Sequence, residues 1–144
     1  MAAGRVILAD DDVLLREGIA SLLGNAGYEV VGQAGDAATL AELVRRHSPG
    51  LAVIDIRMPR LSGLEVARAA VQMTSVCVYT GHRERALLLD LVELGVRGIV
   101  LKDSPLVDLP NAIRAVARGG AYFDPVLAGV LVSMDGSEQP SGLS

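Results

Sequence analysis

Asp10, Asp11, Asp12, Asp55, Thr80 and Lys102 are the residues whose types and placement suit chemistry. Each stands where an apolar run ends. Val6–Ala9 stops at the acidic triplet, Leu51–Ile54 at Asp55, Val76–Tyr79 at Thr80, and Gly98–Leu101 at Lys102. Carboxylates brought together repel, and each raises its neighbours' pKa unless a cation neutralises them. A hard divalent ion such as Mg²⁺ takes oxygen ligands and often uses one or two carboxylates beside water and phosphate. Asp10 or Asp11 with Asp55 therefore makes a candidate Mg²⁺ site. A lysine ammonium and a threonine hydroxyl suit phosphoryl oxygens, as a point charge and as a donor. A carboxylate can itself attack phosphorus and become an acyl phosphate. Singly, an Asp at a strand end is most often a turn or cap residue, and a lone Thr or Lys there is unremarkable. The joint occurrence on four strand ends is what carries the argument.

The elements that position these residues follow from periodicity. Between the first two runs, Leu15, Ile19, Leu22, Leu23 and Ala26 form a helical stripe, stopped by Gly27. Tyr28–Val31 reads as the second strand. Asp36 suits the N-cap of a helix reaching about His47, broken by Pro49-Gly50. After Asp55 comes a loop with Pro59 and Gly63, then a helix over roughly Leu64–Val71. Further helices are expected over about Arg83–Leu94 and Pro105–Arg118. Strand and helix thus alternate five times, which implies parallel strands covered on both faces. Strands that are apolar throughout agree with that burial. The expected fold is α/β and flavodoxin-like: a doubly wound five-stranded parallel sheet of order 2-1-3-4-5. The third strand is central, and ligands bind at the carboxyl ends of such strands.

Composition sets the outer bounds. The chain has 144 residues, enough for one domain with its own core. The formal net charge of −4 argues against nucleic-acid binding by this segment alone. A single cysteine, Cys77, excludes an internal disulfide. No apolar run reaches a membrane span and the first residues do not read as a signal peptide, so a cytoplasmic domain is expected. Aromatic residues are few: three Tyr and one Phe.

At this point a family resemblance enters. Val6-Ile-Leu-Ala-Asp-Asp11, Val53-Ile-Asp-Ile-Arg-Met-Pro59 with Gly63, Tyr79-Thr-Gly81 and Gly98-Ile-Val-Leu-Lys-Asp103 resemble the receiver domain of bacterial two-component response regulators. Leu14-Leu-Arg-Glu-Gly18 and Ala115-Val-Ala-Arg-Gly-Gly-Ala-Tyr-Phe-Asp-Pro125 resemble its NarL/FixJ subfamily, whose members usually carry a C-terminal LuxR-type helix-turn-helix. The resemblance implies that Asp55 accepts a phosphoryl group from a sensor histidine kinase. It implies that Asp11 and Asp55 ligate Mg²⁺ with the Arg57 backbone carbonyl, and that Asp10 acts through water. It assigns Thr80, Gly81 and Lys102 to the phosphoryl group, and Arg57 and His82 to tuning its lifetime. The implied partners are the kinase, a second copy in a homodimer, and DNA only through an output domain outside this chain, with no membrane. One position departs: receivers commonly place an aromatic switch residue three before the lysine, and here Ile99 stands there.

Two surfaces are left over. The Arg83–Leu94 helix is apolar on more than one stripe, as an interaction patch or a deeply packed helix would be. Residues 1–120 read as the phosphoacceptor domain, and 121–144 as a linker helix (Pro125–Met134) and a Ser/Gly/Pro-rich tail. Three alternatives compete with this reading. In a haloacid-dehalogenase-like phosphatase, Asp10 is the nucleophile and Asp12 the general acid, but Asp55-Ile-Arg-Met-Pro59 then has no role. A flavodoxin-like cofactor binder shares the sheet, but an acidic triplet repels its phosphate. A stand-alone or phosphorylation-independent receiver lacks a use for the tail.

Overall fold

The apolar runs become strands and the intervals become helices, in strict alternation through the fifth helix. The computed structural model describes residues 4–56, 63–81, 84–105, 107–127 and 129. The elements are β1 (Arg5–Ala9), α1 (Val13–Asn25), β2 (Glu29–Ala34), α2 (Ala37–His47), β3 (Leu51–Ile54), α3 (Gly63–Val71), β4 (Ser75–Thr80), α4 (Arg85–Leu94), β5 (Gly98–Leu101), α5 (Asp108–Ala117) and β6 (Tyr122–Phe123). All strand pairs are parallel, in the order β2-β1-β3-β4-β5-β6. The doubly wound architecture and the 2-1-3-4-5 order match the expectation.

Successive side chains of each strand feed opposite faces, and each face has its own core. Ile7, Ile54, Val78 and Ile99 join Leu40, Val66, Leu88 and Leu91 on the side of α2, α3 and α4. Leu8, Val53, Tyr79 and Val100 join Ile19, Leu23, Leu109 and Ile113 on the side of α1 and α5. This is why the strand sequences show no polar alternation.

Local chemistry sets the element ends. Asp36 caps α2 by accepting from the Thr39 amide at 2.8 Å, as its sequence position suggests. That helix closes on Ser48 in the left-handed region (φ 44°), one residue before Pro49-Gly50. α5 begins at Asp108 rather than near Pro105, because Pro105 closes a turn by accepting from the Asp108 amide at 2.9 Å. Pro110 is the proline in its first turn, where a missing amide costs no helical bond. β2 runs on to Ala34, past the expected Val31, because after an irregularity at Val31 the ladder resumes with Ile7, Leu8 and Ala9 facing Gly32, Gln33 and Ala34.

Two features go beyond what the sequence reading settled. The five-stranded core carries a short sixth strand: Tyr122–Phe123 adds to β5 in register with Gly98 and Ile99. Both the strand and buried Leu127 lie beyond residue 120. A two-residue strand has too short a pattern to be read from sequence. The second concerns α4. Leu88 and Leu91 are buried, and Leu87, Val92 and Leu94 pack against the same core, so its apolar excess is consumed by packing. Among the described residues the exposed large hydrophobics are Val13, Leu14, Met73, Val107 and Val126, none of them on α4. Of the expected linker helix, residues 125–127 and 129 are helical; its remainder and the tail lie outside the described residues.

Gly98 shows how tightly the central layer is packed. A Cβ there would stand 2.8 Å from the Cys77 Sγ and 3.1 Å from a Val116 methyl. Burial also pushes the Cys77 thiol up to about 12. Gly98→Ala should therefore destabilise the fold by about 1–3 kcal/mol through overpacking. In a Cys77→Ala background the penalty should shrink without vanishing, because Val116 remains. Urea unfolding of the four proteins of this cycle measures the coupling. An equal cost in both backgrounds would refute the assigned clash.

Candidate functional site

Strand register brings the chemically active residues together. The ladder pairs Ala9 with Ile54, and Thr80 with Leu101. The next residue of each chain carries the ladder one step past the strand ends. The Asp10 amide donates to Ala34 O at 2.9 Å, the Asp55 amide to Ala9 O at 2.8 Å, and the Lys102 amide to Thr80 O at 2.8 Å. The side chains of Asp10, Asp55 and Lys102 are thus mounted on backbone already bonded to a neighbouring strand.

The result is a charged cluster at the carboxyl edge. Lys102 Nζ lies 2.9 Å from Asp55 Oδ2 and 3.4 Å from Asp10 Oδ2. Asp10 and Asp55 are buried, Thr80 is fully buried, and Asp11 is exposed. Gly81 is exposed, and a Cβ there would meet nothing within 4 Å. The side-chain cluster is therefore closed from below by the core and open to solvent at Asp11 and Gly81.

Burial raises the Asp10 pKa from its ordinary 3.8. The Asp12 amide, which donates to Asp10 Oδ1 at 2.8 Å, opposes that rise; the Asp55 charge adds to it, and Lys102 opposes it again. For Lys102, burial pushes the pKa down. The hydrogen bond and charge of Asp55, then those of Asp10, outweigh burial, and the net shift is upward. Lys102 Nζ also lies 5.9 Å from the centroid of the Tyr79 ring, within cation–π range.

The carboxylates of Asp10, Asp11 and Asp55 each offer an oxygen within 4.8 Å of the others. Three carboxylates against one ammonium leave excess negative charge, and all-oxygen donors suit a hard divalent cation. The residues present fit such an ion. Asp12 stands apart: its Oδ1 caps α1 by accepting from the Leu15 amide at 3.1 Å. That commits the side chain which the phosphatase alternative needs as general acid.

Most residues expected at the site from sequence are brought together: Asp10, Asp11, Asp55, Thr80, Gly81 and Lys102. Arg57 and His82 lie outside the described residues. Ile99 is buried in the α4-side core, and its cross-strand partner is Phe123 of β6, so an aromatic residue does neighbour this position, from a strand that sequence reading missed.

Two polar residues also escaped sequence reasoning. Arg16 reaches back from α1 to the Asp10 carbonyl, 2.7 Å away. No periodicity could reveal that reach, although Arg16 lies in the Leu14–Gly18 motif. Asp124 is buried and accepts from the Leu101 amide, the Ser104 hydroxyl and the Val126 amide. An Asp directly before Pro125 is a helix-start signal that could have flagged it.

Comparison with known proteins agrees with this geometry. Residues 6–114 match the response regulator receiver domain family. The probable transcriptional regulatory protein NarL of Mycobacterium tuberculosis is 36% identical over 131 residues, covering 88% of this chain and 61% of the relative. The uncharacterized transcriptional regulatory protein YxjL of Bacillus subtilis is 35% identical, covering 90% of this chain and 61% of the relative. A LuxR-family two-component response regulator from Aurantimonas sp. SI85-9A1 superposes with a TM-score of 0.86 at 31% identity, over 91% of this chain and 96% of the other. The receiver domain of the Mycobacterium tuberculosis NarL superposes at 0.74 with 35% identity, over 80% and 96% of the two chains. The chain thus spans about three fifths of the length of these curated relatives.

The raised Asp10 pKa has a definite sign for stability. Above that pKa the folded protein holds an ionised buried carboxylate that the unfolded chain keeps in water, which costs stability. Asp10→Asn should therefore raise the thermal midpoint of metal-free protein at pH 7. The gain should fade as pH drops through the folded pKa towards 3.8. A divalent cation held by the three carboxylates should narrow it, since the loss of one carboxylate weakens binding to the folded variant relative to folded wild type. Calorimetry across pH checks this; a lower midpoint for Asp10→Asn at pH 7 would contradict the burial argument.

Proposed function

This chain belongs to the response regulator receiver family, and from that membership we propose that Asp55 is the phosphoacceptor of its signalling switch. The observation that carries the assignment is the contact of Lys102 Nζ with Asp55 Oδ2, at the centre of a buried carboxylate cluster. An Asp55 oxygen attacks phosphorus as the bond to the donor histidine nitrogen breaks, and the electron pair leaves with the imidazole. Asp10, Asp11 and Asp55, with the Arg57 backbone carbonyl, would hold Mg²⁺, which offsets charge on the transferring phosphoryl oxygens. Lys102 contributes an ammonium to those oxygens and Thr80 a hydroxyl. Gly81 leaves open space beside them. Arg57 and His82 control access of the water that hydrolyses the acyl phosphate. The aspartyl phosphate then biases an existing equilibrium between conformations.

The proposed setting is cytoplasmic. No helix among the described residues is long and apolar enough to cross a membrane. A sensor histidine kinase supplies the phosphoryl group, and the phosphorylated form pairs with a second copy. Relatives include transcriptional regulatory proteins, and one similar solved structure holds two RcsB dimers bound to two parallel DNAs. By analogy, DNA contact belongs to an output domain reached through the segment after the receiver. Net charge of −4 on this chain favours that division of labour.

Intact mass after treatment with a small phosphodonor and Mg²⁺ tests the chemistry. Wild type should gain one labile phosphoryl group, and Asp55→Asn none. An adduct that survives Asp55→Asn and maps to Asp10 would favour the phosphatase alternative. No adduct with any donor would favour a phosphorylation-independent receiver. Arg57→Ala and His82→Ala should each change the adduct's lifetime, and unchanged decay in both would remove their assigned role.

A further inference from the structure

Arg16 is charged, half-buried and outside the cluster just described. Its Nη1 donates to the Asp10 carbonyl at 2.7 Å, and its Nε donates to Gln33 Oε1 at 3.0 Å. Its own amide donates to Asp12 O at 2.9 Å in the first turn of α1. One residue therefore ties the end of β1, the start of α1 and the end of β2. The neighbouring backbone leaves room for this: a Cβ on Gly35 would stand 3.3 Å from Arg16 Nη1. The bonded carbonyl belongs to Asp10, directly before Asp11.

We infer that Arg16 is a positioning residue, which fixes the Asp10–Asp11 backbone so that both carboxylates face the cation site. The inference rests on the Mg²⁺ reading proposed above. Its sign separates it from a simple charge effect. As a mere nearby cation, Arg16 repels Mg²⁺, and Arg16→Gln would tighten binding. As a positioning residue, its loss loosens the ligands and weakens binding, by about tenfold if it resembles other groups that orient metal ligands. Arg16→Lys keeps the charge and one donor but lacks the planar fork, so it should fall between.

Mg²⁺ titration followed by the amide resonances of Asp11 and Asp12 provides the readout, with urea unfolding as a check on each fold. Gln33→Ala, which removes only the Nε partner, should weaken binding less, and it serves if Arg16→Gln does not fold. Arg46→Gln, which removes a cation from an exposed pair with Glu42, controls for net charge. Equal or tighter Mg²⁺ binding by Arg16→Gln, or by Gln33→Ala if that variant stands in for it, overturns the inference. Failure of wild type to bind Mg²⁺ saturably instead fails the metal reading, and this inference with it.

A second observation is independent of the cation. Asp124 accepts from the Leu101 amide at 3.3 Å, the Ser104 hydroxyl at 2.5 Å and the Val126 amide at 3.1 Å. Its own amide donates to Ile99 O at 2.8 Å. Lys102 lies between Leu101 and Ser104, so the turn that carries the site lysine also holds the start of the C-terminal helical turn. The geometry points to Asp124 and Ser104 as a latch that passes displacement of Lys102 on to residues 125–127. This route needs no aromatic residue at position 99. The latch rests on Asp55 phosphorylation, which intact mass reports separately.

On phosphorylation, the wild-type Val126 and Leu127 amide resonances should move. In Ser104→Ala, one phosphoryl group should still be gained while that response falls by more than half. Ser104→Ala leaves Asp124 two backbone donors, so it is milder than Asp124→Asn. Unmoved wild-type resonances, or an equal response in Ser104→Ala, overturn the latch. Absence of the phosphoryl group in wild type fails the phosphoacceptor reading itself.

Discussion

The contact of Lys102 with Asp55 and Asp10 is the constraint around which the molecule is arranged. Two buried carboxylates beside a third, exposed one repel each other strongly, and a single ammonium offsets only part of that charge. The imbalance cannot be relieved by swinging side chains into solvent, because Asp10 and Asp55 are mounted on paired backbone and closed in by core. The carboxylate oxygens are thereby preorganised, and the Lys102 ammonium is already held in place among them. The fold stores excess negative charge at one edge, on oxygen donors that suit a hard divalent cation.

Holding such a cluster requires a rigid floor, and the two-faced sheet supplies it. Largely aliphatic strands bury both faces. The backbone amides of Asp10, Asp55 and Lys102 are each satisfied by a neighbouring strand. The charges therefore rest on hydrogen-bonded backbone one residue above a dry core, the arrangement in which their mutual influence is strongest. Gly98 marks how little slack that floor has, since one methyl group there meets Cys77.

What was legible in the sequence divides along the same line. Apolar runs that stop at Asp10, Asp55, Thr80 and Lys102 reveal strands and site together, because local pattern and strand-end position coincide. The helix start at Asp36 is likewise local. β6 was not legible, because two residues carry no period and their pairing with Gly98 and Ile99 is a tertiary event. The same holds for Asp124, whose partners include Leu101 and Ser104, and for the bond of Arg16 to Gln33. The apolar richness of α4 was ambiguous for another reason: hydropathy reports the tendency to be buried, and not what does the burying. Packing against the core resolves it.

The acidic triplet shows how identical residues acquire different functions from backbone alone. Asp10 continues the β1 ladder, so its side chain turns into the buried cluster and meets Lys102. Asp11 lies one residue on, at the exposed rim, where its carboxylate still comes within reach of the other two. Asp12 has left the strand; its amide bonds back to Asp10 while its carboxylate begins α1. Asp12 is not among the clustered carboxylates, so the triplet supplies two carboxylates to the cluster and one to the helix start. This allocation separates the receiver arrangement from the phosphatase alternative, which draws on the same residue types. The difference lies in where β1 ends and α1 begins, a boundary set by Asp12 itself.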